Sequence, residues 1–103
     1  MLETFTASTF APLIGQAFRV SIGPAGVLEL TLIEATEHRP RSGPNAAAAN
    51  RRTPFSILFR GPKDLLLPQK MYPFEHPAIG AFDLFIVPIG PDAEGLLYEA
   101  VFS

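Results

Sequence analysis

The stretch FDLFIVPIGPDAEGLLYEAVF, residues 82–102, decides the fold class because it reads as two strands joined by a turn. In its first half every second residue is a large apolar one, and the YEAVF that ends the second half repeats this period of two. The prolines and glycines of GPDAEG (90–95) separate the halves and predict a tight turn. We therefore expect an antiparallel hairpin over this stretch.

Four further segments have the same alternation: Phe18–Ile22, Leu28–Leu32, Phe55–Arg60 and the shorter Tyr72–Phe74. A second turn signal, IGPAG (22–26), joins the first two of them. Six short strands with turn signals predict an all-β fold, a small six-stranded antiparallel barrel or sandwich.

One short N-terminal helix is predicted over Thr6–Leu13, with Thr6 or Ser8 as its N-cap and Gly15 as its end. The 103 residues predict one domain, 1–103. Within it, HRPRSGPNAAAANRR (38–52) is too polar and too rich in Pro, Gly and Asn for a strand, so we expect a mobile surface loop there.

The composition indicates spare apolar surface. The chain is 48% hydrophobic and only 17% charged, where an average globular chain has about 25% charged residues. Its net charge of −2 gives no support for general nucleic-acid binding. There is no Cys, which excludes disulfides and thiolate metal sites. No membrane span and no signal peptide are predicted, so we expect cytoplasmic synthesis, compatible with a place in an extracellular or phage-like particle.

The strand at 82–89 is apolar on both faces. Its residues Phe82, Leu84 and Ile86 suit the barrel interior, which leaves Phe85 and Val87 pointing outward. Leu97 and Val101 occupy the second face of the last strand. Either the N-terminal helix covers this outer face, or another chain does.

The sequence offers weak candidates for catalysis. Glu75 and His76 pair a carboxylate with an imidazole, as general acid–base work requires, but adjacent strand residues point to opposite faces. The two histidines, His38 and His76, lack the short spacing of zinc ligands. Ser56 alternates with apolar strand residues and has no nucleophile motif around it. We therefore predict no enzyme, no cofactor and no metal.

The loop at 38–52 is the best case for anion binding. Arg39, Arg41, Arg51 and Arg52 could contact phosphates, although no aromatic residue among them offers a platform for base stacking. The alternative function is therefore a binding module for an acidic ligand or nucleic acid, set against a solvated loop that keeps the domain soluble.

The chain from Phe55 onward resembles an uncharacterised family of bacterial domains of about 100 residues, a domain of unknown function. The resemblance rests on F-S-x-x-F-R-G-P, L-P-Q-x-x-Y, E-H-P-x-x-G-x-F-x-L-F-x-V-P-x-G and Y-E-A-x-F blocks. This chain carries them as Phe55, Arg60, Gly61, Pro62, Pro68, Gln69, Tyr72, Glu75, His76, Pro77, Gly80, Phe82, Pro88, Gly90, Tyr98, Glu99, Ala100 and Phe102. The front half, around Phe10, Gly15, Phe18 and Val20, is also similar.

The resemblance implies no catalytic activity. It associates the chain with gene neighbourhoods that encode phage-tail-like collar proteins, and so implies a structural or assembly part. It also implies a shared role for the segment from L-P-Q to E-H-P. We interpret Arg60, Gln69, Glu75 and His76 as the polar clamp of one long turn.

The resulting hypothesis is a non-catalytic structural or assembly protein that self-associates or docks on a larger, tail-like or filamentous assembly. Its partner is then itself, as an oligomer or polymer, or another structural protein; we do not expect nucleic acid. The candidate interface residues are Phe85, Val87, Leu97, Val101 and Tyr72. Strand addition at an edge, near Tyr72–Glu75 or at Leu97–Ser103, is the second expected mode.

Overall fold

The computed structural model describes residues 5–38 and 53–102, with the backbone alone at Ala25. Six strands form a closed antiparallel barrel in the order β1-β2-β3-β6-β5-β4. Their bounds are β1 (Ala17–Ser21), β2 (Val27–Glu37), β3 (Phe55–Gly61), β4 (Lys70–His76), β5 (Gly80–Pro91) and β6 (Leu96–Phe102). The predicted all-β class and six-stranded antiparallel barrel are confirmed.

The barrel interior is filled by the apolar residues that alternate along each strand. In β5 the burial alternates from Phe82 to Ile86, and in β6 from Tyr98 to Phe102. Aromatic rings make edge-on and stacked contacts there, such as Phe18 with Phe59 at 5.3 Å between centroids. Side chains therefore fill the core, as is expected of a barrel with so few strands.

The N-terminal helix closes one end of the barrel. Helix α1 (Ala7–Phe10) has Thr6 as its N-cap, as predicted, and continues into a 3₁₀ turn at Ala11–Leu13. The ring of Phe10 is fully buried and lies 5.6 Å from that of Phe102, an inward-facing residue. The helix thus packs against the interior, and the expectation that it covers the outer face is wrong.

Two strands, β2 and β5, have irregular pairing along their length. The register of β2 with β3 shifts between Leu32 and Glu34, a bulge that carries β2 on to Glu37. The sequence did not predict this extension. Strand β5 pairs with β4 up to Ile86 and with β6 from Val87 onward. Such bends are how a small sheet curls into a barrel.

The barrel closes between β1 and β4 through only two residue pairs, Arg19 with Glu75 and Val20 with Phe74. The pairing stops at Pro73, which has no N–H to donate. Every strand of the barrel has a neighbour on both sides, but β4 pairs with β1 only at Phe74 and Glu75, and β6 pairs with β5 only up to Glu99. Strand addition near Tyr72–Glu75 or at Leu97–Ser103 therefore stays a prediction. In the described ranges no helix is long and apolar enough to cross a bilayer.

Candidate interaction surface

The four residues predicted to form one polar clamp do not meet. Arg60 instead binds the turn between β5 and β6, where its Nη2 lies 2.5 Å from Oδ2 of Asp92 and 3.7 Å from Oε2 of Glu94. The hydrogen bond from Arg60 and those from the backbone N–H groups of Glu94 and Gly95 lower the pKa of Asp92 from 3.8 to about 2. Arg60 therefore fixes a turn at the opposite end of the barrel from His76.

His76 is buried and structural. Its Nδ1 accepts the backbone N–H of Ala78 at 3.0 Å, so the other ring nitrogen carries the proton in the neutral ring. That Nε2–H donates to Oε1 of Gln16 at 2.8 Å. The imidazole also lies 4.6 Å from the ring of Phe18. With both nitrogens bonded, the ring holds the N-terminal segment to the turn after β4.

Glu75 and Gln69 lie apart from this pair. Glu75 is exposed on the outer side of β4, opposite Ala81 and Arg19, while His76 points inward. Gln69 is exposed just before β4 begins. The carboxylate and the imidazole of the E-H-P motif are thus on opposite faces, as strand geometry requires. The motif combines one buried hydrogen-bonding residue with one surface residue.

A serine–histidine pair that the sequence reasoning missed lies between β2 and β3. Nε2 of His38 is 3.0 Å from Oγ of Ser56, whose side chain is buried. A hydroxyl beside an imidazole is the start of a nucleophile arrangement. Here Ser56 is the second residue of β3 and is paired with Thr36 and Val101, so its neighbouring backbone groups lie in the β ladders. The hydrogen bond instead joins the end of β2 to β3.

The remaining site predictions concern anions and metals. Arg39, Arg41, Arg51 and Arg52 lie outside the described residues. Within the described ranges, no three of the His, Asp and Glu side chains are grouped so as to hold a metal ion. The described barrel is acidic, because it contains nine of the chain's ten acidic residues and only four of its eight basic ones.

Tyr72 is not an interface residue. Its side chain is buried, and its hydroxyl donates to the backbone oxygen of Pro68 at 2.7 Å. Burial raises the pKa of this hydroxyl, and the nearby Tyr98 adds to the effect. The correction follows from strand parity, since Tyr72 shares the inward face of β4 with Phe74 and His76.

The outer face of β4, β5 and β6 is apolar and exposed. Phe85 is 45% exposed, and Met71, directly opposite on β4, is 54% exposed. Val101 on β6 is 66% exposed and Ile89 50%. Val87 and Leu97 are half-buried on the same side. We call the surface formed by Met71, Phe85, Val87, Ile89, Leu97 and Val101 the outer face.

A row of alternating apolar and acidic residues crosses the outer face onto β3 and β2. Val87 pairs with Glu99, Glu99 with Leu58, and Leu58 with Glu34. A shallow groove of about 250 Å³ runs beside this row. It is lined by Glu34, Thr36, His38, Ser56, Ile57, Leu58, Ile89 and Glu99. The surface therefore offers apolar contact area with carboxylates set into it.

The loop between β3 and β4 presents two more exposed apolar side chains, Leu65 (40%) and Leu66 (60%). It is held in place by the hydroxyl of Tyr98, which accepts the N–H of Leu67 at 3.0 Å and donates to the oxygen of Leu65 at 3.3 Å. The three successive leucines were the available sequence signal for this loop, and it was overlooked. Only Leu67 turns inward.

Comparison with known proteins shows the family of this chain. A family model described as a domain of unknown function (DUF6916) matches residues 5–102. The chain belongs to this family. No curated protein and no solved structure matches the chain.

Proposed function

We propose that this domain is a non-catalytic structural or assembly protein. In this proposal the outer face is its contact surface, and the domain self-associates or docks on a larger, tail-like or filamentous assembly. The observation that carries the proposal is the set of large apolar side chains left exposed on one side of the barrel, from Met71 and Phe85 to Val101. Neighbouring exposed apolar side chains, such as Met71 opposite Phe85, typically mark a protein contact when they are grouped on one surface.

Three further observations support this proposal. The barrel interior is filled by apolar side chains rather than by a ligand cavity. His76, the candidate for acid–base catalysis, has both ring nitrogens in hydrogen bonds within the fold. Helix α1 does not cover the outer face, because its Phe10 packs against Phe102 and Phe18 inside the barrel. The apolar side chains outside therefore remain available to another protein.

The experiment is site-specific photo-crosslinking in the cells that make the protein. A photoreactive phenylalanine analogue replaces Phe85 in one strain and Val101 in a second. Ile14 is the control position, because its side chain is 46% exposed and lies outside the outer face. We expect discrete crosslinked products from positions 85 and 101 and none from position 14. The mass of the crosslinked product shows whether the partner is a second copy of the chain or another protein.

The absence of products from both Phe85 and Val101 counts against the proposal and overturns it when the concentrated protein also forms no assemblies. A second measurement guards against a partner that is missing under the growth conditions. Light scattering and negative-stain microscopy of concentrated wild-type protein show whether particles or fibres form, and Phe85→Ser, at a surface position, is expected to reduce them. No products and no concentrated assemblies together leave the outer face without a function.

A further inference from the structure

Two carboxylates in the row that crosses the outer face onto β3 and β2 have no described cationic partner, although Glu34 accepts a hydrogen bond from the hydroxyl of Thr36 at 3.1 Å. Glu34 and Glu99 flank Leu58 on its two neighbouring strands. The salt bridges that the structure describes join Arg60 to Asp92 and to Glu94. In the described part of the chain, neither Glu34 nor Glu99 has a cationic group within salt-bridge distance.

The groove beside these carboxylates has the form that a long cationic side chain fits. Leu58 and Ile89 line it with apolar surface, and Glu34 and Glu99 supply negative charge. Lysine and arginine lay an aliphatic stem along apolar surface while the charged head meets a carboxylate. Carboxylates alone would not identify a partner, but the exposed apolar face around them indicates contact with a protein.

We infer that the outer face docks a basic protein surface, in which lysine or arginine side chains alternate with apolar ones. This inference rests on the proposed function and selects between its two partners. A two-fold symmetric contact centred on this row would bring the acidic patch of one copy against the same acidic patch of the other, and like charges opposed across an interface are unfavourable. The acidic barrel favours a partner of opposite sign, because complementary charge speeds encounter and selects the partner.

The test uses a fluorescent peptide of about eight residues that alternates lysine with leucine, long enough to cross the outer face. A matched peptide has glutamate in place of lysine. Fluorescence anisotropy measures binding to the full chain at low and high salt. We expect binding of the lysine peptide that weakens several-fold with salt, since exposed charge pairs are screened, and no binding of the glutamate peptide.

Two variants test where on the protein the peptide binds. The double variant Glu34→Gln with Glu99→Gln is expected to lower the affinity about five- to tenfold, because two charge-assisted contacts are lost. The matched control is Glu29→Gln, an exposed glutamate of β2 that lies opposite Arg19 and outside the groove. We expect that control to bind like the wild type. Circular dichroism checks that all three chains are folded.

Four outcomes overturn the inference: equal binding of both peptides, no binding of either, an unchanged affinity in the double variant, and an equal loss in the control. Crosslinking at Phe85 to a second copy also overturns it, while the proposed function stands. A last variant, with Arg39→Gln, Arg41→Gln, Arg51→Gln and Arg52→Gln combined, tests whether the chain's own arginines occupy the outer face. If only that variant binds the lysine peptide, the chain's own arginines are the occupant and the inference falls. Absent crosslinks at Phe85 and Val101, together with absent assemblies of the concentrated protein, overturn the proposed function itself.

Discussion

Nε2 of His76 lies 2.8 Å from Oε1 of Gln16, sixty residues away in sequence. The contact joins the segment before β1 to the end of β4. It stands on the β1–β4 seam, where only two residue pairs close the barrel. This part-buried side-chain hydrogen bond supplements the short ladder that closes the barrel.

We predict that His76→Ala lowers the free energy of unfolding by about 2–4 kcal/mol. The change removes the packing against Phe18 and leaves the N–H of Ala78 without its acceptor. Urea denaturation followed by circular dichroism measures the loss. The matched control is His38→Ala, where an exposed histidine loses its bond to Ser56 and the expected loss is about 1 kcal/mol. Equal losses would mean that the seam does not depend on His76.

The salt bridge of Arg60 with Asp92 predicts an acid-dependent part of stability. The pKa of Asp92 falls from 3.8 to about 2 in the folded chain, so its carboxylate stabilises the fold fully above about pH 4. That contribution is lost as the pH falls toward about 2. We expect the stability difference between wild type and Asp92→Asn to shrink over this range. Urea midpoints measured from pH 2 to pH 6 test the prediction.

Asp83→Asn is the control for this pH series, because Asp83 is an exposed aspartate on β5, the strand that leads into the turn of Asp92. We expect its difference from the wild type to change less between pH 4 and pH 2. A pH-independent difference for Asp92→Asn would contradict the assignment of the lowered pKa to the ion pair with Arg60.

Gly95 is predicted to be intolerant of any side chain. A Cβ at this position would lie 2.2 Å from the backbone oxygen of Gly61, which cannot move without disturbing β3. We expect Gly95→Ala to cost about 1–3 kcal/mol of unfolding free energy, as overpacking does. Glu94→Ala, in the same turn with an exposed side chain, is the control and is expected to change stability by less than about 1 kcal/mol. Thermal unfolding curves that coincide for the two variants would contradict this close approach.

The hydroxyl of Tyr98 is predicted to hold the loop between β3 and β4. Tyr98→Phe leaves the buried N–H of Leu67 without its acceptor, at a cost of about 1–3 kcal/mol. Tyr72→Phe removes only the bond to Pro68, and about 0.5–1.5 kcal/mol is expected. Amide hydrogen exchange at Leu67 measures the effect directly. We expect the exchange to be faster in Tyr98→Phe and to stay slow in Tyr72→Phe. Unchanged exchange in Tyr98→Phe would show that buried packing alone holds the loop.

The strands could be predicted because their information is local. A period of two, interrupted by IGPAG and GPDAEG, locates β1, β2, β5 and β6 without knowledge of any partner. The helix start at Thr6 is equally local, since an N-cap depends on its own first turn. The extension of β2 to Glu37 was missed because the bulge after Leu32 breaks the alternation on which the prediction relied.

The polar contacts could not be predicted in the same way. Arg60 is near Gln69 in sequence, yet it binds Asp92, thirty-two residues away, because β3 and β6 lie side by side. Gln16 carried no signal that it would meet His76. Tyr72 was mistaken for a surface residue because an edge was expected at Pro73. The closure of the barrel and the parity of β4 put its ring inside instead.

The sequence alone determined the fold class and which residues of a strand share a face, because side-chain alternation follows from backbone geometry within a few residues. Tertiary structure decided everything that depends on which strands become neighbours. It placed α1 at the barrel end and left Phe85 and Val101 exposed. It also brought Glu34, Leu58 and Glu99 into one row. Such cross-strand rows depend on strand order and register, which only the closed barrel sets.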